Sequence, residues 1–172
     1  ADPVAYTLAV TCFARGVLIE TVHGLSAVED LKVGDMVVTK DSGPKEIRWV
    51  GGSKVSSARL IVAPNLRPIR ICAGALGKNT PAKDLLVSPQ HRILIRSKIA
   101  RKMFDVDEVL VAAKQLLLLD GINIADDVEG VEYFHFLFDQ HEIVFANGAE
   151  TESLFTGPEA LKAVDPKARK EI

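Results

Sequence analysis

A chain of 172 residues, 48% of them hydrophobic, is long enough to bury one sizeable core but short for two ordinary domains. Its 21 Lys and Arg residues nearly balance its 23 Asp and Glu residues, and neither sign forms a long block that would attract nucleic acid or an anionic membrane. The apolar runs are far shorter than the ~20 residues that span a bilayer, and no signal-peptide pattern opens the chain. The sequence therefore predicts one soluble domain.

Short stretches rich in Val and Ile alternate with Gly, Pro, Asn and Asp along the chain, which is the pattern of an all-β protein. The predicted strands, in chain order, are residues 17–21, 34–39, 47–52, 67–72, 85–87, 92–95, 133–138 and 141–146. Helical spacing is expected only at 26–31, at 112–117 and in the tail, where Pro158 opens a helix that Pro166 ends. Residues 74–83 have the Gly, Asn and Pro content of an exposed loop.

Two segments of the chain show a faint similarity to each other. Residues 28–35 and residues 111–121 both combine a turn of helical spacing with a following Gly and Asp pair. Because a helical turn that leads into a strand occurs in many folds, this similarity alone does not establish a repeat.

Cys12 is the strongest candidate nucleophile. It lies between an apolar opening segment and a turn-like sequence, and a thiol is the most nucleophilic common side chain near neutral pH. A buried free cysteine is more often a small hydrophobic residue, and that interpretation fits Cys72, which lies in an apolar strand. Two cysteines are too few for a disulfide scaffold, and no zinc-site spacing of Cys and His is present, so no metal or cofactor is expected.

Three of the four histidines, His91, His135 and His141, lie in apolar strand-like surroundings. Histidine exchanges a proton near neutral pH, which peptide-bond chemistry by a thiol requires, although each histidine alone could equally be structural. Ser88 and His91 are separated by Pro-Gln, and a hydroxyl and an imidazole at that spacing can converge on one carbonyl. His23 follows the pattern of a hairpin turn and receives no role.

Taken together, these motifs resemble the Hint domain of inteins and hedgehog proteins, most closely its bacterial intein-like branch. The matching segments, in chain order, are residues 12–16, 18–21, 28–35, 88–92, 133–136 and 141–148. The resemblance covers residues 12–155 and leaves an upstream segment, 1–11, and a tail, 156–172. It implies an all-β, horseshoe-like fold with two halves related by a pseudo-twofold axis and a short C-terminal helix.

The resemblance also implies a reaction. In this family the cysteine attacks the carbonyl that precedes it, here that of Thr11, and converts the amide into a thioester. His91 matches the residue that contacts and protonates the nitrogen of Cys12. Ser88 replaces a family threonine that holds the scissile carbonyl. His135 stands near the thiol, where inteins often have an aspartate.

The end of the domain departs from the intein pattern. His141 matches a late histidine that supports asparagine cyclisation, but no terminal His-Asn follows, and Asn147-Gly148 is expected to be a plain turn. Full splicing is therefore not expected. Water, a small thiol or an external amine would instead resolve the thioester, so the expected outcome is cleavage or transfer of the chain's own upstream segment by a monomer.

Two alternatives stay open at this point. Residues 1–11 are still joined to Cys12 in the sequence, which favours a Hint-fold module whose processing is slow or lost and whose role is binding or presentation. A conventional cysteine hydrolase that acts in trans through Cys12 and His91 is a weaker alternative, because the resemblance places the thiol against its own upstream bond. An exported bacterial parent protein is plausible, and the compartment is undetermined.

Overall fold

The computed structural model describes residues 11–154, in which strand predominates over helix, at 44% against 16%. The strands are β1 Phe13–Ala14, β2 Leu18–Thr21, β3 Gly24–Ala27, β4 Met36–Thr39, β5 Gly43–Glu46, β6 Trp49–Val55, β7 Ile69–Ile71, β8 Leu85–Val87, β9 Arg92–Arg96, β10 Glu108–Ala112, β11 Ile122–Ile124, β12 Val131–Leu137, β13 Ile143–Ala146 and β14 Ala149–Glu152. The helices are α1 Ser57–Val62, α2 Ser97–Phe104 and three 3-10 helices, Val28–Asp30, Pro64–Leu66 and Ala113–Leu118. No helix of this described part is long and apolar enough to cross a membrane.

The strands form two sheets. The six-stranded sheet has the order β11-β7-β8-β1-β12-β6, and the eight-stranded sheet has the order β10-β9-β14-β13-β2-β4-β5 with β3 paired to β2. Strand β1 lies near the centre of the first sheet, where Phe13 pairs with Val87 of β8 on one side and with Phe134 of β12 on the other. The short segment that carries Cys12 is therefore fixed between two strands that are distant from it in sequence.

The chain contains a structural repeat. The succession of β1, β2, β3, a 3-10 helix and β4 recurs as β8, β9, β10, a 3-10 helix and β11, with α2 inserted between β9 and β10. The hairpin of β13 and β14 joins the two copies, because Ala146 of β13 pairs with Ile19 of β2 and Thr151 of β14 pairs with Ile93 of β9. The faint similarity between residues 28–35 and 111–121 thus corresponds to equivalent positions in two halves.

Two groups of buried apolar residues stabilise this arrangement. The larger group draws on both sheets and includes Phe13, Ile71 and Ile93. The smaller group surrounds Cys12 and includes Trp49 and Tyr133. Cys12 therefore lies in a dry environment, where burial of apolar surface fixes the backbone and where unpaired polar groups would be unfavourable.

The expectation that helices occur only at 26–31, at 112–117 and in the tail was wrong. Two α-helices, α1 and α2, were not predicted, because a segment of six or eight residues shows little helical periodicity. A capping signal was present at α1, where the Ser56 hydroxyl accepts a hydrogen bond from Arg59 N at 3.2 Å. The helical turns that were predicted are 3-10 helices, and the predicted tail helix lies outside the described residues.

Candidate active site

The pairing of β1 positions Cys12 between two candidate partners. In an antiparallel sheet the register Phe13 to Val87 places Cys12 opposite Ser88, and the register Phe13 to Phe134 places it opposite His135. Cys12 itself has no solvent exposure. Sheet topology thus brings together residues that are 76 and 123 positions apart in the chain.

Ser88 contacts both the main-chain nitrogen and the main-chain carbonyl of Cys12. The Ser88 hydroxyl accepts a hydrogen bond from Cys12 N at 3.1 Å, and Ser88 N donates to the carbonyl oxygen of Cys12 at 3.0 Å. Ser88 is fully buried. The amide nitrogen that would leave in an acyl shift is therefore held at a hydroxyl group.

His91 faces two main-chain carbonyl groups. Its Nδ1 lies 2.9 Å from the Cys12 oxygen, its Nε2 lies 3.1 Å from the Glu152 oxygen, and Phe13 packs edge-on against its ring. Burial lowers the pKa of His91 to about 4, although both carbonyl hydrogen bonds and the Glu152 charge act in the opposite direction. A neutral imidazole has one N–H, so it can donate to only one of the two carbonyls. The imidazolium would satisfy both carbonyls, but burial disfavours it at neutral pH.

His135 lies beside the thiol. Its Nδ1 is 3.4 Å from Cys12 Sγ, and its ring stacks on Trp49 with ring centroids 5.0 Å apart. Gly51 of β6 pairs with His135, and a Cβ atom at Gly51 would lie 2.7 Å from His135 Nε2. Only glycine therefore fits at position 51, beside the His135 ring. Burial lowers the pKa of His135 to about 4.

The resting form of Cys12 is the thiol. Burial raises the pKa of Cys12 well above its ordinary value, and the hydrogen bond from the Ser88 side chain opposes this effect only in part. Since the thiolate is the nucleophilic form, attack requires a base at Sγ. His135 is neutral at pH 7 and lies at the distance at which it could accept that proton.

Glu152, at the end of β14, was missed by the sequence analysis. Its buried carboxylate forms an ion pair with Arg92 at 2.7 Å and contacts His141 Nε2 at 3.1 Å. Burial raises the pKa of Glu152, but the hydrogen bonds from His141 and Arg92 outweigh it and hold the pKa at about 2. The structure thus brings Cys12, Ser88, His91 and His135 together and places His141 at Glu152.

These residues supply a nucleophile, hydrogen-bonding groups and proton carriers around the two peptide units that meet at Cys12. A thiol, a hydroxyl and two neutral imidazoles in this arrangement can carry out acyl transfer to sulfur. Among residues 11–154, no group of three or more His, Cys, Asp and Glu side chains is placed to hold a metal ion. The roles of the individual residues remain predictions.

Comparisons with known proteins identify the domain. A family profile described as a Hint domain matches residues 11–158. Among solved structures, the Ssp DnaB mini-intein variant M86 has a TM-score of 0.54 at 10% identity, with 86% of this chain and 97% of that chain covered. A splice-inactive variant of the AceL NrdHF class 3 split intein has a TM-score of 0.52 at 12% identity, with 85% and 99% covered.

A bacterial intein-like domain from Clostridium thermocellum has a TM-score of 0.48 at 16% identity, with 83% of this chain and 97% of that chain covered. The likeness to the two inteins shows the fold alone, because the sequence identities are low. A search of curated proteins finds no match. The family assignment therefore depends on the profile, which spans most of the chain. The chain belongs to the Hint domain family, whose fold supports self-processing of a polypeptide by splicing or cleavage.

Proposed function

We propose that this domain cleaves the peptide bond between Thr11 and Cys12 by an N-to-S acyl shift, without splicing. The observation that carries the proposal is the set of contacts made by the nitrogen and the sulfur of Cys12. Its amide nitrogen is hydrogen-bonded to Ser88 and its sulfur contacts His135, and these are the two atoms whose bonding would change. His91 lies at the carbonyl of Cys12, which belongs to the next peptide unit.

The first step is attack of Cys12 Sγ on the carbonyl carbon of Thr11. His135 Nδ1 accepts the thiol proton as the carbon–sulfur bond forms, since the buried thiol does not ionise on its own. The nucleophile and its target belong to one chain, so their effective concentration is very high. The neutral form of His135, favoured by burial, is the form that this step needs.

The second step is the loss of the Cys12 nitrogen from the tetrahedral intermediate. The carbon–nitrogen bond breaks, a thioester remains on the sulfur, and the amine takes up one proton, so the shift neither consumes nor releases protons overall. The Ser88 hydroxyl contacts the leaving nitrogen and His91 contacts the carbonyl of the same residue, and these two groups can relay the proton. An imidazolium at His91 with a pKa of about 4 would give its proton readily to an amine, whose ordinary pKa is about 8.

The thioester is then resolved by water, a small thiol or an external amine. Release at the downstream Asn147 is not expected, because its side chain is engaged in the fold. Asn147 Oδ1 accepts a hydrogen bond from Leu18 N at 2.8 Å, and its Nδ2 donates to the Asp84 carbonyl at 3.0 Å. A side-chain amide held in this way is unsuited to cyclisation.

The test is a fusion of a small folded protein in front of residue 1, incubated with and without a thiol and followed by intact-mass spectrometry. We expect cleavage between Thr11 and Cys12, acceleration by the thiol, and no ligation of the flanking segments. Cys12→Ala should abolish cleavage, because no other group can form the thioester. Cys72→Ala is the matched control, and we expect it to cleave like the wild type.

A second candidate function is a folded module that binds or presents its parent protein without processing it. The full burial of Cys12 and the raised pKa of its thiol favour this alternative. Equal integrity of wild type and Cys12→Ala over days with thiol present would support it. Fragments that end at Asn147-Gly148 would instead place the chemistry at the other end of the domain.

A further inference from the structure

The carboxylate of Glu152 connects three segments that are distant in the sequence. Glu152 is 3% exposed and lies at the end of β14. Its Oε2 accepts hydrogen bonds from Arg92 Nε at 2.9 Å and lies 3.1 Å from His141 Nε2. Its Oε1 accepts from the main-chain N of Arg92 at 3.3 Å and from the hydroxyl of Thr11 at 2.9 Å.

The contact with Thr11 joins the carboxylate to the residue whose carbonyl is attacked in the proposed reaction. An ionised carboxylate only accepts hydrogen bonds, so it selects a neighbour that donates one. Ser and Thr have a hydroxyl at the correct distance from the main chain. An apolar residue would leave Oε1 without this donor, and an acidic residue would place a second negative charge beside the first.

Glu152 also contacts the candidate proton carrier. Its main-chain oxygen lies 3.1 Å from His91 Nε2, while its side chain holds Thr11. One residue therefore fixes the position of the upstream residue relative to the imidazole. In a reaction that depends on near-attack geometry, loss of such a contact slows the chemical step.

We propose that Glu152 is the recognition residue for the position before the cleaved bond and that this domain selects upstream segments ending in Ser or Thr. The proposal rests on the proposed function for its consequence in cleavage. The hydrogen bond that carries it can also be measured in a protein that does not react.

The first test compares cleavage rates of upstream fusions that carry Thr11→Ser and Thr11→Val. Thr11→Val keeps the branched shape and loses the hydroxyl, and we expect it to slow thiol-induced cleavage about tenfold, the order expected for a hydrogen bond to a charged group. Thr11→Ser should recover most of that loss. Thr21→Val is the matched control, because the Thr21 hydroxyl donates to Gly24 O in an exposed hairpin, and its rate should equal that of wild type.

The same pair is then compared in a Glu152→Gln background. The ratio of the Thr11→Ser rate to the Thr11→Val rate should fall from about tenfold to about threefold or less, since the amide oxygen is a weaker acceptor. A general loss of folded protein would lower both rates and leave their ratio unchanged. Equal rates for Thr11→Val and Thr11→Ser, or an unchanged ratio in Glu152→Gln, would overturn the proposal.

A third measurement does not depend on cleavage. In the Cys12→Ala protein, Thr11→Val should lower the Tm by about 2–4 °C relative to Thr11→Ser, and Glu152→Gln should remove most of that difference. If wild type does not cleave, the proposed function fails, and this coupling still decides whether Glu152 recognises the hydroxyl. Equal Tm values for the Thr11 variants would overturn the recognition itself.

Discussion

The turn before β2 and the turn before β9 share two main-chain hydrogen bonds but differ in the chemistry of their side chains. In the first turn Val17 N donates to Ala14 O at 3.3 Å, and in the second His91 N donates to Ser88 O at 3.0 Å. The carbonyls of Val17 and His91 each accept a hydrogen bond from the start of a 3-10 helix at 2.8 Å. The first turn carries Ala14 and Val17 at its two ends, and the second carries Ser88 and His91 there, whose hydroxyl and imidazole contact Cys12. The repeat thus provides two equivalent positions, and side-chain identity decides which one can perform chemistry.

The pH dependence of the free energy of unfolding should show the largest difference between the two turns, because only the second turn carries a buried histidine. Burial lowers the pKa of His91 and of His135 from 6.5 to about 4, so the unfolded chain binds more protons between these values. The stability that comes from burying these two neutral imidazoles is fully present above pH 6.5 and is lost as the pH falls toward 4. At 1.36 kcal/mol per pKa unit, protonation of each histidine over this pH range lowers the free energy of unfolding by roughly 3 kcal/mol.

Urea unfolding of the Cys12→Ala protein between pH 7 and pH 4.5 measures this loss. His91→Gln should remove about half of the pH dependence, whereas Val17→Ala at the equivalent position should leave the dependence unchanged. A free energy of unfolding that stays constant over this pH range would show that the two imidazoles are not held neutral by burial.

Truncation at equivalent positions should separate catalysis from stability. We expect His91→Ala to slow cleavage by ~10²-fold or more, because the leaving nitrogen loses its proton carrier. Val17→Ala removes buried methyl groups from the first turn, so it should lower the free energy of unfolding by about 2 kcal/mol and leave the rate per folded molecule unchanged. Single-turnover rates, corrected for the folded fraction, distinguish the two. Similar slowing by both variants would indicate that His91 acts only through packing.

Ser88→Ala is the smallest of these changes, and it copies the residue that the first turn carries at Ala14. We expect cleavage to slow about fivefold to tenfold, since one hydrogen bond to the Cys12 nitrogen is lost while Ser88 N still donates to the Cys12 carbonyl. The measurement is the same single-turnover assay. A loss as large as that of His91→Ala would mean that the hydroxyl itself transfers the proton.

The sequence was sufficient for most of the sheet framework and insufficient for the short helices. The predicted strand at 85–87 coincides with β8, and alternation of apolar residues with turn residues located β2, β4, β9 and β13 to within a few positions. Helix α1 was missed although Ser56 caps it, because serine favours turns as well as helix caps. The repeat was faint because its two copies share main-chain geometry rather than residue types.

Sequence reasoning named Cys12 and the three residues around it, Ser88, His91 and His135, from their chemistry and from the family motifs, but it could not name Glu152. The partners of Glu152 are 60 residues away at Arg92 and 141 away at Thr11, and an alternating Glu150-Thr151-Glu152 segment is typical of a solvated strand. The pairing of β14 with β9 brings that carboxylate to Arg92, and the folded chain leaves Glu152 3% exposed. Gly51 was a usable signal for the site, because glycine within a strand indicates close approach, here of Trp49 and His135.

The most direct test of the account is the mass of the upstream fragment released in the presence of a small thiol. Acyl transfer to Cys12 followed by thiol exchange predicts a fragment that ends at Thr11 and carries the thiol as a C-terminal thioester, and Cys12→Ala should yield none. Hydroxylamine should convert that thioester to the hydroxamic acid. A fragment ending at Thr11 with a free carboxylate under all conditions, formed equally by Cys12→Ala, would contradict the thioester mechanism.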